Sequence, residues 1–204
     1  MKNKKGFTLI ELLAVIIILG VLLGIAIPQV TKYITKSKKD SFISSAMLFI
    51  ETARNDATSE IYPLPINAND VVIISLDLIK TEKAQTKSSF GGKFLYNKSY
   101  VAIVNIGTGT DPEYKYYFAA QDEKNYAIPL TAENELNSDI VIANAKNKME
   151  VTVQALCGSL EGTSTTLSTI SGLEEVQKSD ETGNKISWDA KIFSKEGCGI
   201  DASE

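Results

Sequence analysis

Hydrophobic and polar residues are distributed very unevenly along this chain. Residues 7–27 form a run of 21 positions with one charged side chain, Glu11, whereas the sequence after Ser59 has the mixed composition of a globular domain. At about 1.5 Å rise per residue, a helix of this length reaches about 30 Å, the thickness of the hydrocarbon core of a bilayer. The pattern therefore predicts one helix that can span a membrane once.

The pattern changes after Pro28 from wholly apolar to amphipathic. Apolar and small residues continue at spacings of three and four, first as a stripe and then as a face that can pack on a globular head. The stripe contains Val30, Tyr33, Ile34, Ser37 and Ser41, and the face contains Ile43, Ala46, Met47, Ile50, Ala53 and Ala57. We expect one helix from residue 7 to about residue 58, ended by the prolines within residues 61–65.

Beyond the helix, short runs rich in β-branched and aromatic residues predict strands. After the apolar run 71–74, we expect a short helix over residues 75–83 with Ser75 as its N-cap. Strands are predicted over residues 100–106, 114–120, 126–129, 149–155 and 186–193, with a turn at 107–112. Residues 158–184 are rich in Ser, Thr, Gly and Glu and predict an exposed loop or an extra hairpin. The expected fold class is α+β, a long helix packed on an antiparallel sheet, with Trp188 and Phe193 in the core.

Charge follows the same division of the chain. The net charge is −4, but residues 61–204 carry 13 lysines and 20 acidic residues, while Lys2, Lys4 and Lys5 precede the apolar run. A basic flank is expected to stay in the cytoplasm and the acidic head to be translocated. The acidic head also argues against direct nucleic-acid binding. For the lysines at 32, 36, 38 and 39 we favour a solvated face near the membrane over contact with acidic headgroups or an acidic neighbouring head.

The residue types needed for common catalytic sites are missing. The chain has no histidine, which excludes Ser–His and Cys–His pairs and HExxH zinc sites. Gly107 and Gly109 are not followed by the Gly-Lys-Ser/Thr of a phosphate-binding loop, and no acidic run has the spacing of an EF-hand. A calcium site formed by residues distant in sequence stays open. We expect no catalytic residue, cofactor or metal site, and therefore a protein that is not an enzyme.

Glu11 is the most informative residue of the apolar run. A charge costs about 2.5 to 3.5 kcal/mol if it reaches the middle of a bilayer, so this carboxylate needs a partner. It lies in the string KKGFTLIELL, residues 4–13, where a basic leader ends in Gly6, an aromatic residue follows, and Glu11 is the fifth residue after the glycine. This string resembles the cleavage signal of type IV prepilins and related pseudopilins. Hydropathy alone leaves a plain single-pass anchor open, while the run is too long for a secretory signal.

The resemblance implies specific chemistry for these residues. A prepilin peptidase would cut between Gly6 and Phe7 and methylate the new amine of Phe7, and Glu11 would pair with the Phe7 amine of a neighbouring subunit to set the axial register. Gly20, Gly24 and Pro28 weaken the helix, and family members can lose helical structure between the positions of Gly20 and Pro28 in the fibre. A simple kink or a close approach of helices is the alternative. The implied partners are identical or related pilin subunits, the peptidase, an assembly platform protein and an ATPase.

Cys157 and Cys198 lie 41 residues apart near the C-terminus of the chain. In a domain expected outside the cell, a disulfide between them is the leading interpretation. Its location resembles the C-terminal disulfide-bounded region of many type IV pilins. Free thiols are the alternative.

These features predict four segments: a cleaved leader 1–6, a membrane and polymerisation half 7–28, an amphipathic half 29–58 and an extracellular head 59–204. The expected function is that of a structural subunit of a type IV pilus, used for adhesion, motility, biofilm formation or DNA uptake. Before assembly the chain would sit in the cytoplasmic membrane with its head outside. A pseudopilin of a secretion or competence system is the second interpretation, and a membrane-tethered binding module or enzyme is the third. The length of chain after Cys157 favours a pilus, because major secretion pseudopilins are usually shorter.

Overall fold

A computed structural model describes residues 8–79, 87–145 and 161–194. The chain divides into two compact units, residues 1–38 and 39–204. A single α-helix, α1, covers Leu9–Thr58, so the predicted long helix is confirmed over its described residues. This helix is long and apolar enough to cross a membrane.

The second unit contains one six-stranded sheet. Its strands are β1 (Asp70–Ser75), β2 (Tyr100–Asn105), β3 (Tyr114–Gln121), β4 (Ala127–Ala132), β5 (Thr163–Leu167) and β6 (Trp188–Phe193). The strand order is β4-β3-β2-β1-β6-β5. Every ladder is antiparallel except β1–β6, in which Asp70 lies beside Asp189 and Ile74 beside Phe193. The predicted α+β class is confirmed, with a sheet that is mixed rather than wholly antiparallel.

One face of the sheet is covered by the second part of α1. The ring of Phe49 stacks on Phe118 of β3 at a centroid distance of 6.2 Å and meets Phe94 edge-on at 5.8 Å. The buried residues of the helix are Phe42, Ile43, Ser45, Ala46, Phe49, Ile50, Ala53 and Ala57. Five of the six predicted face residues are therefore confirmed. The prediction that Met47 belongs to this face is wrong, because Met47 is 45% exposed. The buried face is centred towards Phe42 and Phe49, which leaves Met47 at its border.

The opposite face of the sheet carries a second core. Trp188 of β6 is fully buried there with Ile170 and Leu173, and Phe193 is buried on the helix side, which confirms both as core residues. Ile170 and Leu173 come from the segment predicted as an exposed loop or an extra hairpin. The hairpin alternative is confirmed by β5, which pairs antiparallel with β6. The exposed-loop alternative holds for most of the described residues of this segment, which are exposed, but it does not hold for Ile170 and Leu173, which are buried on the sheet.

The helix ends in a hydrogen-bonded turn, before the prolines begin. The amide of Ile61 donates to the carbonyl of Asp56 at 2.9 Å, and the amide of Glu60 donates to the carbonyl of Ala57 at 3.1 Å. Glu60 has a φ of 59°, the left-handed conformation of a Schellman motif. The prolines of residues 61–65 follow this motif and keep the helix from resuming. The helix therefore ends where the sequence predicts, but the Schellman turn ends it and the prolines only follow.

The remaining strand predictions can be compared directly. The strands predicted over residues 100–106, 114–120, 126–129 and 186–193 are confirmed as β2, β3, β4 and β6. The helix predicted over residues 75–83 is wrong where it is described: Ser75 is the last residue of β1, residues 76–78 form a turn, and the Ser75 hydroxyl donates to the carbonyl of Tyr96 at 3.1 Å. The extended β1–β2 ladder reaches Ser75 and removes it from the N-cap role. The strand predicted over residues 149–155 lies outside the described residues.

Candidate assembly site on the N-terminal helix

The apolar side chains of the first unit have no cover within that unit. Every residue from 8 to 38 is exposed, including Leu9 at 84% and Ile18 at 59%. Contiguous exposed apolar surface of this size marks a membrane or protein contact. The fold of this unit thus presents a continuous apolar helix surface to its surroundings.

Glu11 is held at the start of this surface by Thr8. The Oε2 atom of Glu11 accepts hydrogen bonds from the Thr8 amide at 2.8 Å and from the Thr8 hydroxyl at 2.7 Å. In return, the amide of Glu11 donates to the Thr8 hydroxyl oxygen at 3.3 Å. These reciprocal bonds form a capping box, which satisfies amides that have no partner within the first turn of a helix. The role of Thr8 was missed, although Thr-x-x-Glu before an apolar run is the sequence signature of this motif.

Among the described residues, the capping box leaves the charge of Glu11 without a cationic partner. Both bonds go to Oε2, and among residues 8–79, 87–145 and 161–194 no donor reaches Oε1 and no cation pairs with this carboxylate. Neutral donors orient a carboxylate but do not cancel its charge, which is costly in a low-dielectric surrounding. Glu11 can therefore accept a cationic donor on its free oxygen without leaving the helix start.

Gly20, Gly24 and Pro28 lie inside an uninterrupted helix. A Cβ atom added at Gly20 or Gly24 would meet nothing within 4 Å, so the fold of the subunit does not require a glycine at either position. Pro28 has no amide hydrogen to give to the carbonyl of Gly24. The predicted loss of helix in a fibre stays a prediction.

The other predicted site residues are not placed by the structure. Gly6 and Phe7, predicted for cleavage and methylation, lie outside the described residues, as do Cys157 and Cys198. Of the predicted site residues that are described, Glu11 is brought together with Thr8, while the glycines and Pro28 follow along the same helix.

Two acidic residues of the head stabilise turns through hydrogen bonds. Buried Asp122 accepts from the amides of Lys124 and Tyr126, both at 2.9 Å. Asp180 accepts from the hydroxyl of Thr182 at 2.7 Å, and this bond is the main cause that lowers the pKa of Asp180. Over the described part of the chain, no three metal-binding side chains come together.

Comparison with known proteins agrees with this arrangement. A protein family described as "Prokaryotic N-terminal methylation motif" matches residues 1–27. The chain is 33% identical over 135 residues to the type IV wide pilus major component of Thermus thermophilus, which covers 65% of this chain and 92% of that protein.

Two further relatives match over shorter stretches. A fimbrial protein of Pseudomonas aeruginosa is 42% identical over 60 residues, and a type IV major fimbrial protein of Dichelobacter nodosus is 51% identical over 41 residues. These matches cover 29% and 20% of this chain, and 38% and 26% of those proteins, so the chain spans well under half the length of either. No solved structure matches the chain significantly.

The chain thus combines an N-terminal methylation motif with a long apolar helix and a sheet that this helix covers. The Thermus relative extends the similarity over nearly its whole length and so into the head. The chain belongs to the type IV pilin family.

Proposed function

We propose that this protein is a structural subunit of a type IV pilus, assembled through the first part of α1. The observation that carries the proposal is Glu11, the single charge in the apolar run of residues 7–27, with one carboxylate oxygen free of hydrogen bonds among the described residues. In a fibre, the Phe7 amine of a neighbouring subunit would supply the missing cation. A paired charge at a fixed position selects one register, the best-supported use of buried ion pairs.

In this proposal the subunit is first processed in the membrane and then assembled into the fibre. The peptidase cuts between Gly6 and Phe7 and methylates the Phe7 amine, while α1 holds the chain in the cytoplasmic membrane with the head outside. The assembly platform and its ATPase then transfer the subunit to the fibre. There the apolar surface of α1 exchanges lipid for the helices of other subunits.

The two helix glycines support contact with other chains. A glycine inside a helix costs about 0.5 to 1 kcal/mol relative to alanine, and nothing within the subunit requires Gly20 or Gly24. Small residues let helices approach closely, which is how apolar helices associate when water does not drive them together. The positions therefore fit a surface used in the membrane or the fibre.

A pilus is favoured over a pseudopilus by the head. The Thermus relative, whose name gives it as a pilus major component, is similar over 135 residues, a stretch long enough to reach into the head. The use of the filament for adhesion, motility, biofilm formation or DNA uptake stays a prediction from the sequence.

We also propose a disulfide between Cys157 and Cys198. They are the chain's two cysteines, and disulfides form and persist in the oxidising surroundings expected for an extracellular head. Labelling with iodoacetamide with and without reductant tests this: two thiols modified without reductant would contradict it.

The decisive experiment compares two carboxylates on the same helix. We expect Glu11→Ala to be processed normally but to be nearly absent from filaments sheared off the cells. Glu51→Ala is the matched control, since Glu51 is 64% exposed on α1 and lies far from the apolar run. It should enter filaments at the wild-type level. Mass spectrometry of the filaments should find N-methylated Phe7 as the first residue.

Two outcomes would contradict the proposal. Wild-type amounts of Glu11→Ala in sheared filaments would show that its charge has no part in assembly. Absence of the wild-type chain from filaments, together with a secretion defect on its deletion, would identify a pseudopilin instead.

A further inference from the structure

The first unit contains a basic groove just beyond its apolar run. Lys32, Tyr33 and Lys36 line a shallow groove, open to solvent, between side chains of this one helix, together with Gln29 and Val30, which lie one turn earlier. All five residues are exposed, Tyr33 at 76%.

The charges of this groove are not balanced within its unit. Lys32 and Lys36 are four residues apart, a spacing at which like charges on a helix repel. Between Glu11 and Asp40 the chain has no acidic residue. Neither lysine forms an ion pair within the part of the chain that the structure describes. An anion held between the two ammonium groups would remove the repulsion.

With α1 spanning the membrane up to Ile27, as proposed above, the groove would lie at the depth of lipid headgroups. Lys32 is five residues beyond Ile27, or about 7.5 Å along the helix, and the polar layer on each side of a bilayer is about 5 to 8 Å thick. Helical side chains lean towards the N-terminus, so both lysines reach back towards the membrane. Tyrosine is enriched at this boundary, because its ring and hydroxyl suit apolar and wet surroundings at once.

We propose that Lys32 and Lys36 bind the phosphate of an anionic phospholipid, with Tyr33 and Val30 against its glycerol and upper acyl carbons. The proposal rests on the membrane-held stage of the proposed function. An acidic head of a second subunit is the competing partner. The lipid is favoured because it satisfies the apolar groups of the groove as well as its charges, and because the groove borders the span. Lipid binding at this point would fix the depth at which the subunit waits.

The experiment measures lipid preference directly. The full chain is reconstituted in phosphatidylcholine vesicles containing trace spin-labelled phosphatidylglycerol or spin-labelled phosphatidylcholine, and the motionally restricted fraction of each label is recorded. We expect Lys32→Gln/Lys36→Gln to lower the preference for phosphatidylglycerol by at least about fivefold, since fivefold is the effect of one lysine near an anionic surface. Lys2, Lys4 and Lys5 are present in both proteins, so their contribution cancels.

Two control variants separate charge and position. Lys115→Gln/Lys124→Gln makes the same charge change at exposed sites of the head and should leave the preference unchanged. Lys32→Arg/Lys36→Arg keeps the charge and should keep the preference.

An unchanged preference in Lys32→Gln/Lys36→Gln would overturn the proposal. If that variant also lost filaments, the surface would instead bind an acidic head. Vesicles require no assembly, so a failure here is distinct from a failure of the proposed pilus function.

Discussion

α1 carries large apolar side chains along its whole length, yet its two parts differ in whether these side chains are buried. Residues 8–38 leave all of them exposed, whereas Phe42, Phe49 and Ile50 in the second part are buried against the sheet. Burial of an apolar side chain stabilises a fold by about 1.5 to 3 kcal/mol, so only the second part contributes in this way to the head. One helix therefore combines a surface for other molecules with a surface for its own domain.

The largest test of this comparison truncates one residue in each part. Phe49→Ala should destabilise the head by about 3 to 5 kcal/mol, because it leaves a cavity beside Phe94 and Phe118. Leu19→Ala, 50% exposed, should change the stability of the head by less than about 0.5 kcal/mol. Urea unfolding in detergent, followed by the fluorescence of Trp188, measures both. Similar losses from the two variants would contradict the division.

A second test uses the buried hydroxyl of a tyrosine in the head. Burial raises the pKa of Tyr100, so above about pH 10 only the unfolded chain loses this proton. Stability should therefore fall as pH rises above 10, by about 1.4 kcal/mol at pH 11 from this residue. Tyr100→Phe should remove that part of the alkaline loss in urea unfolding at pH 9 and pH 11. Tyr33→Phe, on the exposed part of α1, is the control and should leave the loss as it is.

The end of the packed part offers a test of backbone strain. Glu60 adopts a left-handed conformation that glycine tolerates better than any residue with a Cβ atom. We expect Glu60→Gly to be more stable than Glu60→Ala by about 1 kcal/mol, since both remove the charge and only glycine removes the strain. Thermal unfolding of the two variants gives the difference. Equal melting temperatures would show that the turn carries no strain.

The smallest expected effect is the charged contact between α1 and the sheet. Arg54 pairs with Glu133, and its guanidinium carbon lies 4.5 Å from the centre of the Tyr116 ring. Both charged side chains are at least a third exposed, so solvent screens the pair and we expect a coupling of about 0.5 kcal/mol. A double-mutant cycle of Arg54→Ala and Glu133→Ala measures it. A coupling above about 2 kcal/mol would show that solvent does not screen this pair.

The sequence predicted the features that depend on local pattern. The apolar run, the helix spacing from Ile43 to Ala57 and the strands β2, β3 and β4 all follow from periodicity, and the structure agrees. Glu11 was identified because a charge in an apolar run is visible in the sequence. Its partner Thr8 was equally visible as Thr-x-x-Glu, so that omission was one of interpretation.

The features that were predicted wrongly or not predicted depend on contacts between residues distant in sequence. Ser75 has the residue type of an N-cap, but pairing with Tyr100 keeps it in β1. Ile170 and Leu173 are isolated among polar residues, and only the position of their loop over the sheet explains their burial. The parallel β1–β6 pair has no local signal, because its two strands are separated by residues 76–187.

That parallel pair also bears on how the head forms. β6 lies between β1 and β5, so a strand from the C-terminal part of the chain completes the middle of the sheet. In the proposed orientation, a chain that crosses the membrane from its N-terminal helix onwards exposes β1 with one edge open until residue 193 has emerged. Open edges are prone to wrong pairing and to proteolysis. A subunit truncated before β6 is therefore expected to leave this edge of β1 unpaired and open to proteolysis.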